Sequence, residues 1–169
     1  DRIDKAGDKY FETIRGRKIS MVFQDPVSAL SPLMRVGEQI SDIYRYNVHS
    51  TKVEAWDLAL NLLEALGIVN PKKVALRYPH QMSGGMAQRI NIAMALVCEP
   101  QLLLADEPTT GLDVTTQMQV LELLRDQLTR LRASLLFVSH DLRVVKKICT
   151  KVGVMYEGKI VEFGKSNEV

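Results

Sequence analysis

From Leu102 to Ala105 the chain runs four apolar residues together and then breaks into Asp106-Glu107-Pro108. That is the length of a strand and too short for a helix, and an unbroken apolar run suits a strand covered on both faces. A second run, Ser134–Ser139, reads the same way. Between them Asp113 is placed to cap a long helix whose Val114, Met118, Leu121, Leu124, Leu128 and Leu131 fall at 4-3-3-4-3 spacing. Strand, helix and strand in that order require a crossover, so the two runs must lie parallel in one sheet. An α/β fold with a mostly parallel sheet is the architecture this pattern allows.

The remainder fits around that unit. A charged lead-in, Asp1–Arg17, runs into Lys18–Phe23, a short strand with Ile19, Met21, Val22 and Phe23. A turn-rich segment with Pro26 and Pro32 follows, then some seventy residues of helical texture. Val36–Tyr46 is one helix. Thr51–Leu66 is a second, opened by the Thr51/Glu54 capping box, carrying Ala55, Leu58, Leu62 and Leu66 on one face and ended by Gly67. A third opens around Ser83–Gly85 and runs to about Val97. After the second apolar run come a short helix, Leu142–Cys149, and two strands, Lys151–Tyr156 and Lys159–Phe163, around a Glu157-Gly158 turn.

Composition narrows the function classes. The 169 residues are 46% apolar and 25% charged, which suits one globular domain. The longest purely apolar run, Ile92–Cys98, cannot span a bilayer, and no secretory leader pattern opens the sequence. With 22 basic against 20 acidic residues, nucleic acid held by bulk charge is not expected as a partner. Cys98 and Cys149 fit no metal spacing and read as buried free thiols in apolar helices.

Four places carry chemistry. Ser83-Gly84-Gly85 at a helix start exposes backbone N–H groups to an anion and adds a hydroxyl donor. Asp106 and Glu107, at the C-terminal end of a strand, stand where open α/β sheets bind ligands; one can hold Mg²⁺ through water while the other acts on an attacking water. Gln24 ends the first strand with an amide that can reach a metal or a water. His140 ends another strand, where an imidazole can meet a phosphate or a water. Each feature alone has an ordinary explanation as a cap or a polar strand exit. Their order along one chain does not.

That order, with Thr109-Thr110-Gly111-Leu112-Asp113 between the last two, resembles the nucleotide-binding subunit of an ABC transporter from about Lys18 to Gly164. The resemblance implies a P-loop NTPase-like fold with a RecA-like core over about 18–25 and 98–164 and a helical subdomain inserted over about 26–97. It makes Gln24 the Q-loop residue and Met82–Met86 the signature motif. Asp106 becomes the Mg²⁺-associated Walker B aspartate, Glu107 the catalytic glutamate, Asp113 the D-loop aspartate and His140 the switch histidine. Two such domains would sandwich ATP, with Ser83, Gly84 and Gly85 facing the γ-phosphate held by the opposite subunit. The implied partners are a second ATPase subunit and transmembrane permease subunits, with a solute-binding protein acting through them. The implied location is the cytoplasmic face of the membrane. Phe23-Gln24-Asp25-Pro26, Met34–Gln39 and Tyr78-Pro79-His80-Gln81 are similar to the ATPases of dipeptide, oligopeptide and nickel importers, and Met86 in place of the usual Gln resembles one of their two paralogous, heterodimer-forming ATPases.

The family also needs a Gly-rich loop, G-x-x-x-x-G-K-[ST], around the β- and γ-phosphates. None occurs in these residues: Gly164-Lys165-Ser166 lacks the first glycine, because position 159 is Lys159. The expectation is therefore the C-terminal larger part of a nucleotide-binding domain, without its first strands and Walker A loop, and inactive by itself. Two other readings remain. A soluble ABC ATPase of DNA repair or translation would carry a coiled-coil insertion or tandem ATPase domains. A non-catalytic binding fragment would use the helical surface alone, with no need for Glu107 and His140.

Overall fold

The computed structural model describes residues 7–169, so the first six residues of the charged lead-in lie outside the described residues. In chain order the elements are α1 (Asp8–Ile14), β1 (Ile19–Val22), α2 (Val36–Val48), α3 (Lys52–Ala65), α4 (Pro71–Ala75), a single 3₁₀ turn (Pro79–Gln81) and α5 (Gly84–Leu96). There follow β2 (Leu102–Asp106), α6 (Val114–Leu131), β3 (Ser134–Val138), α7 (Leu142–Ile148), β4 (Lys151–Tyr156) and β5 (Lys159–Lys165).

The strand–helix–strand unit forms a parallel sheet in the order β1-β2-β3, with Val22, Ala105 and Phe137 in one row and Met21, Leu104 and Leu136 in the next. The first row faces the core. There Val22, Leu103 and Ala105 are buried beneath α5 and α6, and Leu135 and Phe137 pack against the same cluster. β4 and β5 pair antiparallel in a separate two-stranded sheet, turned by Glu157 and Gly158, both at positive φ as a tight hairpin requires.

Between β1 and β2 stand the helices. Thr51 caps α3 as its sequence indicates: its Oγ1 accepts from Glu54 N, while the Glu54 carboxylate accepts from Thr51 N at 2.9 Å. Gly67 stops the helix at φ 72°, and Ile68 N reaches back to Leu63 O. α5 lies at the centre, with Ala87, Ile90, Ile92, Ala93 and Leu96 all buried.

Four readings need correction. β3 is covered on one face only, leaving Leu136 and Val138 more than half exposed, because α6 lies against its other side. Val114 opens α6 on the solvent side, before the helix turns its stripe onto the core. The cysteines sit at helix ends: Cys98 follows α5 and Cys149 caps α7, both free and half-buried, with burial pushing Cys98 up to about 11. Finally, α1 and α4 had no counterpart in the periodicity, being 7 and 5 residues long.

Candidate active site

Parallel neighbours present their C-terminal ends at one edge, and this edge gathers the polar residues. Gln24 lies just past β1, Asp106 and Glu107 close β2, and His140 lies just past β3. Glu107 N donates to Val138 O at 2.9 Å, carrying the β2–β3 pairing one residue beyond the strands. There the backbone of Glu107 turns to φ 43°, a left-handed conformation that non-glycine residues adopt only when their surroundings hold them there.

Three donors converge on the Glu107 carboxylate. His140 Nδ1 lies 2.8 Å from Oε1, Thr110 Oγ1 donates to Oε2 at 2.8 Å, and Gln24 Nε2 donates to the same oxygen at 3.1 Å. The His140 contact requires a proton on Nδ1, which leaves Nε2 outward on an exposed ring. These bonds favour the ionised acid, so Glu107 is held below the usual carboxylate range by His140 first, then Thr110 and, less strongly, Gln24. The same contact lifts His140 above the ordinary imidazole value. Thr110 escaped the sequence reading; its signal was the spacing of three residues from Glu107, enough for a turn to bring the hydroxyl back.

Asp106 stands half-buried in register with Val138, and no hydrogen bond reaches its carboxylate among the described residues. Gln24 spends its NH₂ on Glu107 and keeps its amide oxygen. No cluster of three or more His, Cys, Asp or Glu able to hold a metal occurs among the described residues.

Ser83, Gly84 and Gly85 open α5 at a different place. Ser83 Oγ accepts from Met86 N at 3.4 Å, so its hydroxyl proton and the first N–H groups of the helix remain to be used. Among the described residues no hydrogen bond joins this turn to the Glu107 cluster. The two meet through the segment after Glu107: a Cβ at Gly85 would lie 2.7 Å from Thr116 Cγ2, and one at Gly84 3.8 Å from Leu112 Cδ2. Asp113 caps α6, its Oδ1 accepting from Thr116 N at 3.0 Å, and the Thr116 hydroxyl first, then that backbone bond, keep its carboxyl below the ordinary value.

A family model described as ABC transporter matches residues 2–110. Among curated proteins, the oligopeptide transport ATP-binding protein OppD of Bacillus subtilis is 46% identical over 162 residues, covering 96% of this chain and 45% of its own length. The dipeptide transport ATP-binding protein DppD of the same organism is 45% identical over 165 residues, covering 98% of this chain and 49% of its own length. The chain thus spans about half the length of the curated relatives it matches. Among solved structures, the ATP-binding cassette MJ0796, captured as a dimer in a post-hydrolysis state bound to ADP and Pi, superposes with a TM-score of 0.85 at 27% identity, covering 96% of this chain and 69% of that one.

Proposed function

The chain belongs to the ABC transporter family, and from that premise we propose that it is the ATP-binding and ATP-hydrolysing element of a peptide-type importer. The observation that carries this reading is the Glu107 carboxylate, drawn together with Gln24 and His140 from three adjacent strands at the sheet edge where such folds bind ligands. The transport of peptides rests on the names of the relatives, OppD and DppD.

In this reading water attacks the γ-phosphorus of ATP, and catalysis consists mainly of positioning and charge stabilisation. Glu107 orients the water. Its lowered pKa keeps it ionised, so it accepts a hydrogen bond from the water while being a weak proton acceptor. His140, whose raised value favours the imidazolium, offers an Nε2–H to the γ-phosphate. Asp106 and Gln24 are oxygen donors at one edge without a protein cage, which suits Mg²⁺, an ion commonly held by one or two protein oxygens plus substrate phosphates. When bound, the ion would neutralise charge on the phosphate oxygens.

Ser83, Gly84 and Gly85 serve a nucleotide held by a second ATPase subunit, with Asp113 at the junction. The dimer of the MJ0796 cassette supports that pairing, and Met86 favours a paralogous partner over an identical one. Residues 26–97 form the helical subdomain that meets the permease, to which a solute-binding protein delivers cargo, and the chain works at the cytoplasmic face of the membrane. No helix among the described residues is long and apolar enough to cross a membrane.

In the native protein, Glu107→Gln is expected to lower ATP turnover by about 10²–10⁴-fold, the scale of a positioned acid–base group. Nucleotide affinity is expected to hold. Steady-state hydrolysis and equilibrium binding of a labelled nucleotide measure the two separately, and undiminished turnover removes Glu107 from the reaction.

A further inference from the structure

Asn91 sits in the interior of α5 at 3% exposure, flanked by buried Ile90 and Ile92. Asparagine is a poor helix former, and an amide taken out of water without a partner is costly. The partner is remote in sequence: Asn91 Nδ2 donates to the carbonyl of Phe23 at 3.3 Å, across 68 residues. That carbonyl lies past the last β1–β2 pair, Val22 with Ala105, so the strand ladder does not fix it. It also belongs to the peptide unit whose nitrogen is Gln24's own, and a peptide unit turns as one plane. Beyond it, Gln24 Nε2 holds Glu107 Oε2.

We propose that Asn91 is a positioning residue for Gln24: by holding the Phe23–Gln24 peptide it sets the direction from which the Gln24 amide meets Glu107. The proposal rests on the reading of Gln24 and Glu107 as site residues and adds the element that governs them. Asn91 lies eight residues along α5 from Ser83, about 12 Å at the helical rise. A displacement of the Ser83–Gly85 turn along the helix axis is therefore delivered to Gln24 through one hydrogen bond.

Nuclear magnetic resonance on the isotope-labelled native protein tests this without nucleotide. In the unmutated chain, a through-bond coupling between Asn91 Nδ2 and the Phe23 carbonyl carbon is expected, and its absence overturns the proposal. In Asn91→Leu, of similar volume but without a donor, the Gln24 side-chain amide resonances are expected to move toward the positions they take in Glu107→Ala, where their acceptor is gone. Resonances unmoved in a folded Asn91→Leu chain overturn the proposal. Should leucine prevent folding, Asn91→Ser, too short to reach the carbonyl, is read by the same rule. In the native protein, Asn91→Leu is expected to lower kcat about tenfold with KM for ATP unchanged, a typical size for a side chain that couples two sites. In a Gln24→Ala background Asn91→Leu should cost nothing more, whereas independent, additive losses overturn action through Gln24. A native protein without ATPase activity would defeat the functional reading, and the Gln24 resonances would still decide the role of Asn91.

Discussion

At the scale of the residue, the contact between Glu107 and His140 defines the site's behaviour with pH. Glu107 lies low because His140, Thr110 and Gln24 stabilise its charge, and His140 lies high because Glu107 stabilises its own. The favourable pairing exists between those two values. As pH rises through the raised value of His140 the imidazolium loses its proton and that stabilisation goes; as pH falls through the lowered value of Glu107 the carboxylate is neutralised and it goes again. A titration of His140 followed by its ring proton resonances is expected to give a midpoint above the ordinary value of about 6.5. Glu107→Gln should bring it back down. A midpoint identical in the two chains would mean that the contact does not form in solution.

At the scale of the element, packing of α5 against α6 explains why the first turn of α5 is built from glycine. A Cβ at Gly85 would meet the Thr116 methyl at 2.7 Å, closer than carbons pack, so Thr116 or the helix itself would have to shift. Gly85→Ala gains up to about 1 kcal/mol of helix propensity but incurs overpacking of about 1–3 kcal/mol, so a net loss of stability is expected. Thr116→Ser removes the offending methyl and should restore most of it. Denaturant midpoints of the single and double variants measure this. If the double variant is no more stable than Gly85→Ala, α5–α6 packing is not what requires the glycine. Anion binding by exposed N–H groups and close helix packing thus ask for the same residue at this position, which is why the sequence alone could assign only the first. α2 shows the same device, since a Cβ at Gly37 would lie 2.7 Å from the Trp56 ring of α3 and 2.8 Å from Ala75 of α4.

At the scale of the molecule, one face of the parallel sheet is unlike the other. Met21 and Leu136 lie in one row on the open face, with Phe23 51% exposed and Val138 51% exposed at its end. Exposed apolar side chains grouped on one sheet face promote association. The 169-residue chain is therefore expected to bind an apolar fluorescent dye in its folded state and to self-associate as concentration rises, as sedimentation would register. Leu136→Lys should weaken both. A monodisperse, dye-inert chain would show that this surface is covered in solution. Calorimetry on these 169 residues by themselves should find no micromolar affinity for ATP, because the G-x-x-x-x-G-K-[ST] pattern that holds its phosphates does not occur among them.

The sequence by itself determined the local structure and the order of the chemistry. Apolar runs fixed β2 and β3, and Thr51, Asp113 and Gly67 set helix ends, because capping and periodicity are properties of neighbouring residues. Gln24, Ser83, Glu107 and His140 each had an ordinary explanation alone and stood out only through the resemblance of their order to the family. Short α1 and α4 were not legible: α1 lies in a charged lead-in with Ile14 its one buried residue, and the five residues of α4 leave no period to read. Tertiary structure alone decided what meets what. Only the β1-β2-β3 order puts Gln24 and His140 on the same carboxylate, 83 and 33 residues away, and only the packing of α5 under β1 gives Asn91 the Phe23 carbonyl. Such contacts depend on which surfaces are buried together, and a side chain carries no record of a partner so distant along the chain.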